Sequence, residues 1–251
     1  MKQTMAATPP PQKRRWRILG PISPAHVELQ LMGLAFAAGM IDSITFPAFG
    51  IFVSNQTGNM VFLALGAASI ENMPLVIDIP HTVMSLGMFC MGAFVNGQLG
   101  LLIGPFRREW LLTTNSLQSL LVLGCALVVF FIPVATKNYW NLFIISALSF
   151  ASGAQVAMAR GLRVPEIPTS MATAAFVDVL VDPLLFHRHN IPRNRRVGFL
   201  ILFFLGALVG AFMYRFIGLY VGFLVAACTK FAVGSTFFFN RSIREEYISP
   251  S

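Results

Sequence analysis

Hydrophobic residues run along this chain in long blocks, without the strict alternation of half-buried strands. Six blocks, at residues 29–47, 82–104, 111–132, 140–159, 197–214 and 216–239, are predominantly apolar over about twenty positions each. That is the length a helix needs to cross a hydrocarbon core of about 30 Å. Two further runs, 57–70 and 169–186, fall short. The first would rise only about 20 Å as a helix, and the second is interrupted by Asp178 and Asp182. The pattern predicts an all-α polytopic membrane protein, with about six transmembrane helices and two short, re-entrant helices. Eight crossings is the competing count.

Charge placement separates the two counts, because cytoplasmic connections collect Lys and Arg. With six crossings, one side receives five basic residues of the N-terminal tail, Arg107, Arg108, Arg160, Arg163, four between Arg188 and Arg196, Arg241 and Arg244. The other side receives only Lys137 and Arg215, and Lys230 lies within a span. With eight crossings the bias weakens from fifteen against two to twelve against five. Six crossings with both termini cytosolic fit better. Residues 1–28 then read as a disordered basic cytosolic tail, 29–239 as the transmembrane domain, and 240–251 as a C-terminal cytosolic tail.

A search for internal similarity pairs A-F-A-A-G-M-I-D at 35–42 with S-F-A-S-G-A-Q-V at 149–156, an offset of 114. Each copy is followed by a Pro-containing break and a short helix expected to open with Thr, at Thr57 and Thr169. Two full spans complete each half, about 29–132 and 140–239. Three crossings per half would make the second copy enter from the opposite face, an inverted 3+3 repeat of the kind found in transporters. The pairs Gly100/Gly104, Gly206/Gly210 and Gly218/Gly222 have the spacing of close helix packing.

Between the first block and the first short run stands F-V-S-N-Q-T-G-N-M-V-F, residues 52–62. Backbone left open at membrane depth is tolerated only where protein or water surrounds it. Ser54, Asn55, Gln56, Thr57 and Asn59 could cap such a break or line a wet vestibule, and Gly58 would allow close approach. A surface loop with Thr57 as a helix cap is the plainer alternative. Asp42 sits more than two turns inside the first span, where a carboxylate costs about 2.5–3.5 kcal/mol unless it pairs, protonates or meets water. Its candidate partners are Lys230 and Arg160. Ion coupling and a structural salt bridge both account for it. Gln155 falls within one residue of Asp42 in the repeat alignment. Asp178 and Asp182, four apart on one face of the second short helix, read first as a solvated interfacial pair, and they could also meet the basic stretch 188–196.

Composition agrees with the block pattern. Of 251 residues 56% are hydrophobic and 11% charged, about half the charge of a soluble domain. The net charge of +8 is confined to the ends of apolar runs, as lipid-headgroup contact and orientation bias require, so no nucleic-acid partner is expected. Three single cysteines give neither a disulfide framework nor a zinc site. His187 and His189 lack a third ligand, and no phosphate loop, nucleophile elbow or carboxylate dyad is present. No enzyme activity, metal or cofactor is expected. Expected partners are the bilayer and a small solute, with homo-oligomerisation left open.

The motifs A-G-M-I-D-S, F-V-S-N-Q-T-G-N, S-G-A-Q-V-A-M-A-R and V-P-E-I-P-T, spread over 29–239, resemble those of the YoaK family of integral membrane proteins. The resemblance implies a six-span membrane fold and marks Asp42, Thr57, Gly58, Asn59, Gln155, Arg160 and Thr169 as matching positions. It departs at Gln155-Val156, where the family pattern is Gln-Asn. Taken together, the expected function is a secondary transporter or facilitator of a small polar or anionic solute. Asp42, Asn55, Thr57, Gly58, Asn59, Gln155, Arg160, Thr169, Ser170 and Lys230 are its candidate pathway. The alternative is a non-transporting membrane scaffold or accessory subunit.

Overall fold

The computed structural model describes residues 20–24, 26–68, 78–132 and 139–240. The basic cluster 13–17, Glu71, Lys137 and the C-terminal arginines lie outside them. The described residues form eight helices: α1 (Val27–Phe49), α2 (Gln56–Ala67), α3 (Ile79–Ile103), α4 (Arg108–Phe131), α5 (Tyr139–Gly161), α6 (Ala172–Leu180), α7 (Ile191–Phe216) and α8 (Leu219–Thr236), with a 3-10 turn at Phe237–Phe239. Six of these are long and apolar enough to cross a membrane. The short ones, α2 and α6, have 12 and 9 residues. Both start away from the expected Thr. Gln56 opens α2, and α6 opens only at Ala172, three residues beyond Thr169.

Local signals set the ends. Pro47 in the last turn of α1 and Gly50 in the left-handed region stop that helix (φ 71°), with the Gly50 N–H donating to Phe46 O. Asp78 caps α3 by accepting from the His81 N–H, and Asn190 caps α7 by accepting from the Arg193 N–H. Each has a proline in the helix's first turn, where a missing N–H is harmless. The first turn of α1 is tied to the end of α8 by the Gln30–Asn240 amide pair at 2.9 and 3.0 Å. Ile22, counted with the tail in the sequence reading, is buried, and its N–H donates to Phe106 O at the α3–α4 turn. One face of the bundle therefore carries the start of α1, the α3–α4 turn, the start of α7 and the end of α8.

The helices differ in how much of them meets lipid. Two-thirds of the apolar stretch is buried in both α1 and α5, against 17% in α3 and α7. So α1 and α5 are central and α3 and α7 peripheral. α1 packs on α7 and α8, and α5 packs on α3 and α4. α4 meets α8 between the two groups, while α2 leans on α3 and α6 on α7.

Glycine makes the closest crossings. A Cβ on Gly39 would overlap the Phe203 carbonyl, and one on Gly206 would overlap the Phe36 carbonyl. In the other group Gly153 lies against the Phe89 carbonyl and Gly92 against the Phe150 carbonyl. Every position in the second crossing differs from its counterpart in the first by 114 residues. Gly206 and Gly210 thus pack as their spacing predicts. The other two expected pairs do not cross helices in that way: Gly104 ends α3 at φ 111°, Gly100 faces the Trp110 ring, and Gly218 precedes α8 at φ 123°. α3 makes its close approach at Gly92 instead.

α6 is anchored at one end by charge. Arg196, in the second turn of α7, pairs with Asp178 at 3.5 Å and Asp182 at 3.8 Å, although α6 ends at Leu180 and Asp182 lies beyond it rather than on the same helix face. The amide of Asn190 and the Leu184 N–H, assisted by Arg196, hold the Asp182 carboxyl below its ordinary range. A depressed carboxyl contributes stability above its unfolded value near 3.8, and loses it as pH falls through the folded value.

Two outcomes check this packing. Gly206→Ala should cost about 1–3 kcal/mol by overpacking and lower the melting temperature in detergent. Gly87→Ala, whose Cβ would meet nothing, should leave it unchanged or raise it. The Asp182 carboxyl resonance should titrate below 3.8 in the wild-type chain and move upward in Asn190→Ala.

Candidate functional site

Both short helices begin deep in the bundle and end at a surface. α6 starts beside Asp42, Phe203 and Ala207, near the middle of α1 and α7, and ends at Arg196 near the start of α7. α2 starts beside Asp42 and Ser85 and ends where Gly66 meets Ile79, the first residue of α3. Each helix therefore returns toward the side from which its break came, as re-entrant helices do. The backbone N–H groups at the two starts have no lipid-compatible partner of their own.

At the first break the protein supplies partners. Asp42 lies roughly 22 Å along α1 at 1.5 Å per residue. Its Oδ1 accepts the N–H groups of Val53 (3.1 Å) and Ser54 (3.0 Å), and its Oδ2 accepts the Ser54 hydroxyl at 2.5 Å. The fully buried Asn59 stitches the same loop, with Nδ2 donating to Phe52 O at 2.6 Å and Oδ1 accepting the Phe52 N–H at 3.3 Å. Gln56 and Ser85 join it, and Ser85 reaches Ser149 of α5 at 2.9 Å.

This arrangement corrects the expected pairing of Asp42. Among the described residues neither Lys230 nor Arg160 reaches it. The break brings three donors directly to the carboxylate, whereas Lys230 projects from α8 toward α4 and α5. Its Nζ donates to Gln118 Oε1 at 3.2 Å and to Gln155 Oε1. Gln155 in turn donates to Leu34 O at 3.2 Å. Asn96 donates to Ala154 O at 2.7 Å and accepts from Thr114, to which Gln118 donates at 3.1 Å. A polar layer thus spans the bundle. It separates an apolar core around Met40, Ile144 and Phe223 from another around Leu31, Leu111 and Phe199.

The candidate residues consequently fall into separate places. Asp42, Asn55, Thr57 and Ser170 line one cavity of about 550 Å³, a size suited to a small ligand. Its remaining wall comes from Gly39 and Ser43 of α1, Phe52, the first turn of α6, and Phe203 and Ala207 of α7. Asn55 and Thr57 are exposed, Asn59 is spent on holding the loop, and Gly58 lies beside the Phe52 ring. Thr169 is fully buried next to Ser170, with φ at 63°. Gln155 and Lys230 belong to the polar layer. Arg160 is exposed and lines a second cavity of about 380 Å³ with Asn96 and Trp110. Ser43, Phe52 and Phe203 were missed by the sequence reading. Each is an ordinary span or loop residue, and only the crossing of α1 with α7 gathers them.

The chemistry available in the larger cavity is recognition: one carboxylate, amide and hydroxyl groups, a helix N-terminus and two aromatic walls. The structural weight of Asp42 is measurable. Asp42→Ala leaves three donors without their acceptor and should cost about 3 kcal/mol or more, and Ser54→Ala about 1–3 kcal/mol. Thr57→Ala should stay within about 0.5 kcal/mol. Thermal unfolding of the detergent-solubilised variants checks the order.

No curated protein and no solved structure matches the chain. A family model, described as "Protein of unknown function (DUF1275)", matches residues 30–236, from the first turn of α1 to the end of α8. The chain therefore belongs to the DUF1275 family of proteins of unknown function, in keeping with the YoaK resemblance of its motifs.

Proposed function

We propose that the protein is a secondary transporter or facilitator of a small polar solute, built as an inverted 3+3 repeat. The observation that carries this reading is the cavity beside Asp42, which lies deep along α1 and is closed by the starts of two half-length helices. Half-helix ends facing a site between repeats are the design by which many transporters hold their solutes. Support for the repeat comes from the neighbours. Exchanging α1–α4 for α5–α8 turns the α1·α7 packing into α5·α3, α1·α8 into α5·α4, and α2·α3 into α6·α7, all of which occur. The glycine crossings repeat at a spacing of 114. In this reading the face bearing the start of α1, the α3–α4 turn and the start of α7 is cytosolic, because it collects arginines.

Asp42 then couples the solute to the break before α2, since one carboxylate borders the cavity and holds that loop. A second reading, a membrane scaffold that moves nothing, draws on the same bonds: Asp42 and Lys230 both find partners within the bundle.

Reconstitution in proteoliposomes separates the two. A transporter should give saturable solute flux that Asp42→Asn abolishes while the variant still runs as a monodisperse species. A scaffold gives no flux with any solute, and Asp42→Asn then reads out only as lost stability. In a cysteine scan of 54–59, positions 55 and 57 should label and be protected by solute, while 54 and 59 stay unreactive. Uniform, solute-insensitive labelling would mark a plain external loop and defeat the proposal.

A further inference from the structure

The two breaks are built alike but finished differently. Val53 and Ser54 stand three and two residues before the start of α2, and Thr169 and Ser170 stand three and two before α6. The first pair gives its donors to Asp42. The position 114 residues beyond Asp42, which carries the crossing register of the bundle, is Val156. Among the described residues no carboxylate serves the second break. The hydroxyls of Thr169 and Ser170 are buried without a hydrogen-bond partner among the described residues. Ser170 is 5% exposed and lines the cavity beside Asp42. The next residue, Met171, offers α6 no side-chain cap, and the first turn, Ala172 to Ala174, forms part of the same wall.

A helix start with free N–H groups and an unpartnered buried hydroxyl is a seat for an acceptor oxygen. At the first break a carboxylate accepts the N–H groups and hydroxyl of the loop just before α2, and a carboxylate is likewise the group that fits the second. No Lys or Arg lines the cavity, as a phosphate would require. A simple anion would also confront Asp42, the one ionisable side chain of this wall. A carboxylate offers about four lone-pair positions, and three donors already occupy Asp42, so one remains. A simple cation could use it but would leave the α6 donors unmatched. A molecule with both charges satisfies both ends, and Phe52, Val177, Phe203 and Ala207 receive its apolar part.

We infer that this cavity binds a small zwitterion of the amino-acid class, its carboxylate on Ser170 and the N-terminus of α6 and its ammonium on Asp42. The inference rests on reading the cavity as the solute site, and it replaces an anionic solute with a zwitterionic one.

The test is ligand binding to the full-length chain in detergent, by calorimetry and by thermal shift. The probes are the protein-building amino acids, with propionate and ethylamine as alanine lacking one or the other charge. At least one amino acid should bind saturably. For alanine-sized ligands both single-charge controls should bind at least tenfold more weakly. Ser170→Ala should weaken binding about tenfold while leaving the unliganded melting temperature unchanged. Because Asp42→Asn also disturbs the first break, Ser170→Ala carries the decision. Failure of every amino acid to bind, propionate binding as tightly as alanine, or an unaltered affinity in Ser170→Ala would each overturn the assignment. Binding without counterflow in proteoliposomes keeps this assignment and removes the transport reading. Flux confined to an uncharged or singly charged solute does the reverse.

Discussion

Open backbone inside a bilayer has to be paid for locally, and the hold of Asp42 on the loop before α2 is where this bundle meets that demand. Two N–H groups and a hydroxyl converge on one carboxylate, while Asn59 returns both polar ends of its amide to Phe52. These bonds hold the backbone that turns back into the bundle after α1 and restarts as α2. The other polar positions of the loop are freed by that arrangement. Asn55 and Thr57 can face the cavity because Ser54 and Asn59 already secure the backbone.

The same demand recurs before α6 and is met less completely. Thr169 and Ser170 keep buried hydroxyls without partners among the described residues, and α5 carries Val156 at the position 114 beyond Asp42. The two breaks thus differ in how their polar groups are satisfied. The loop before α2 is held from within by Asp42, whereas the hydroxyls before α6 have no partner among the described residues. Elsewhere the halves match closely. Gly39 and Gly206 bring α1 and α7 into backbone contact, and Gly153 and Gly92 do so for α5 and α3. Lipid offers no hydrophobic drive for helices to associate, so such close contacts, together with the Lys230–Gln118–Gln155 layer, hold the bundle.

Several of these features were legible along the chain. The six spans follow from block length, and the short helices from blocks that fail it. That Asp178 and Asp182 could meet a nearby basic stretch was legible, but not that α6 would end at Leu180 and leave Asp182 beyond it. The 114-residue offset was visible in a stretch of only eight residues, and the glycine crossings keep that offset. Partner choice was not legible. A carboxylate and an ammonium in different spans suggest a salt bridge on energetic grounds, yet Asp42 is captured by its own loop and Lys230 by two amides. Sequence gives the cost of burying a charge but not which dipoles arrive first.

The sequence by itself determined that six helices are long and apolar enough to cross a membrane, where helices must stop, and which residues were too costly to bury without purpose. Each of these follows from composition over a span length or from a local rule such as Pro47 and Gly50 at the end of α1. Only the tertiary structure decided that Asp42, Asn55, Thr57 and Ser170 share a cavity, that Gln155 and Lys230 belong to a separate layer, and that Arg160 stands apart. Those groupings depend on how α1 crosses α7 and how α5 crosses α3. Such crossings are set by contacts between residues more than fifty positions apart, which no local pattern records.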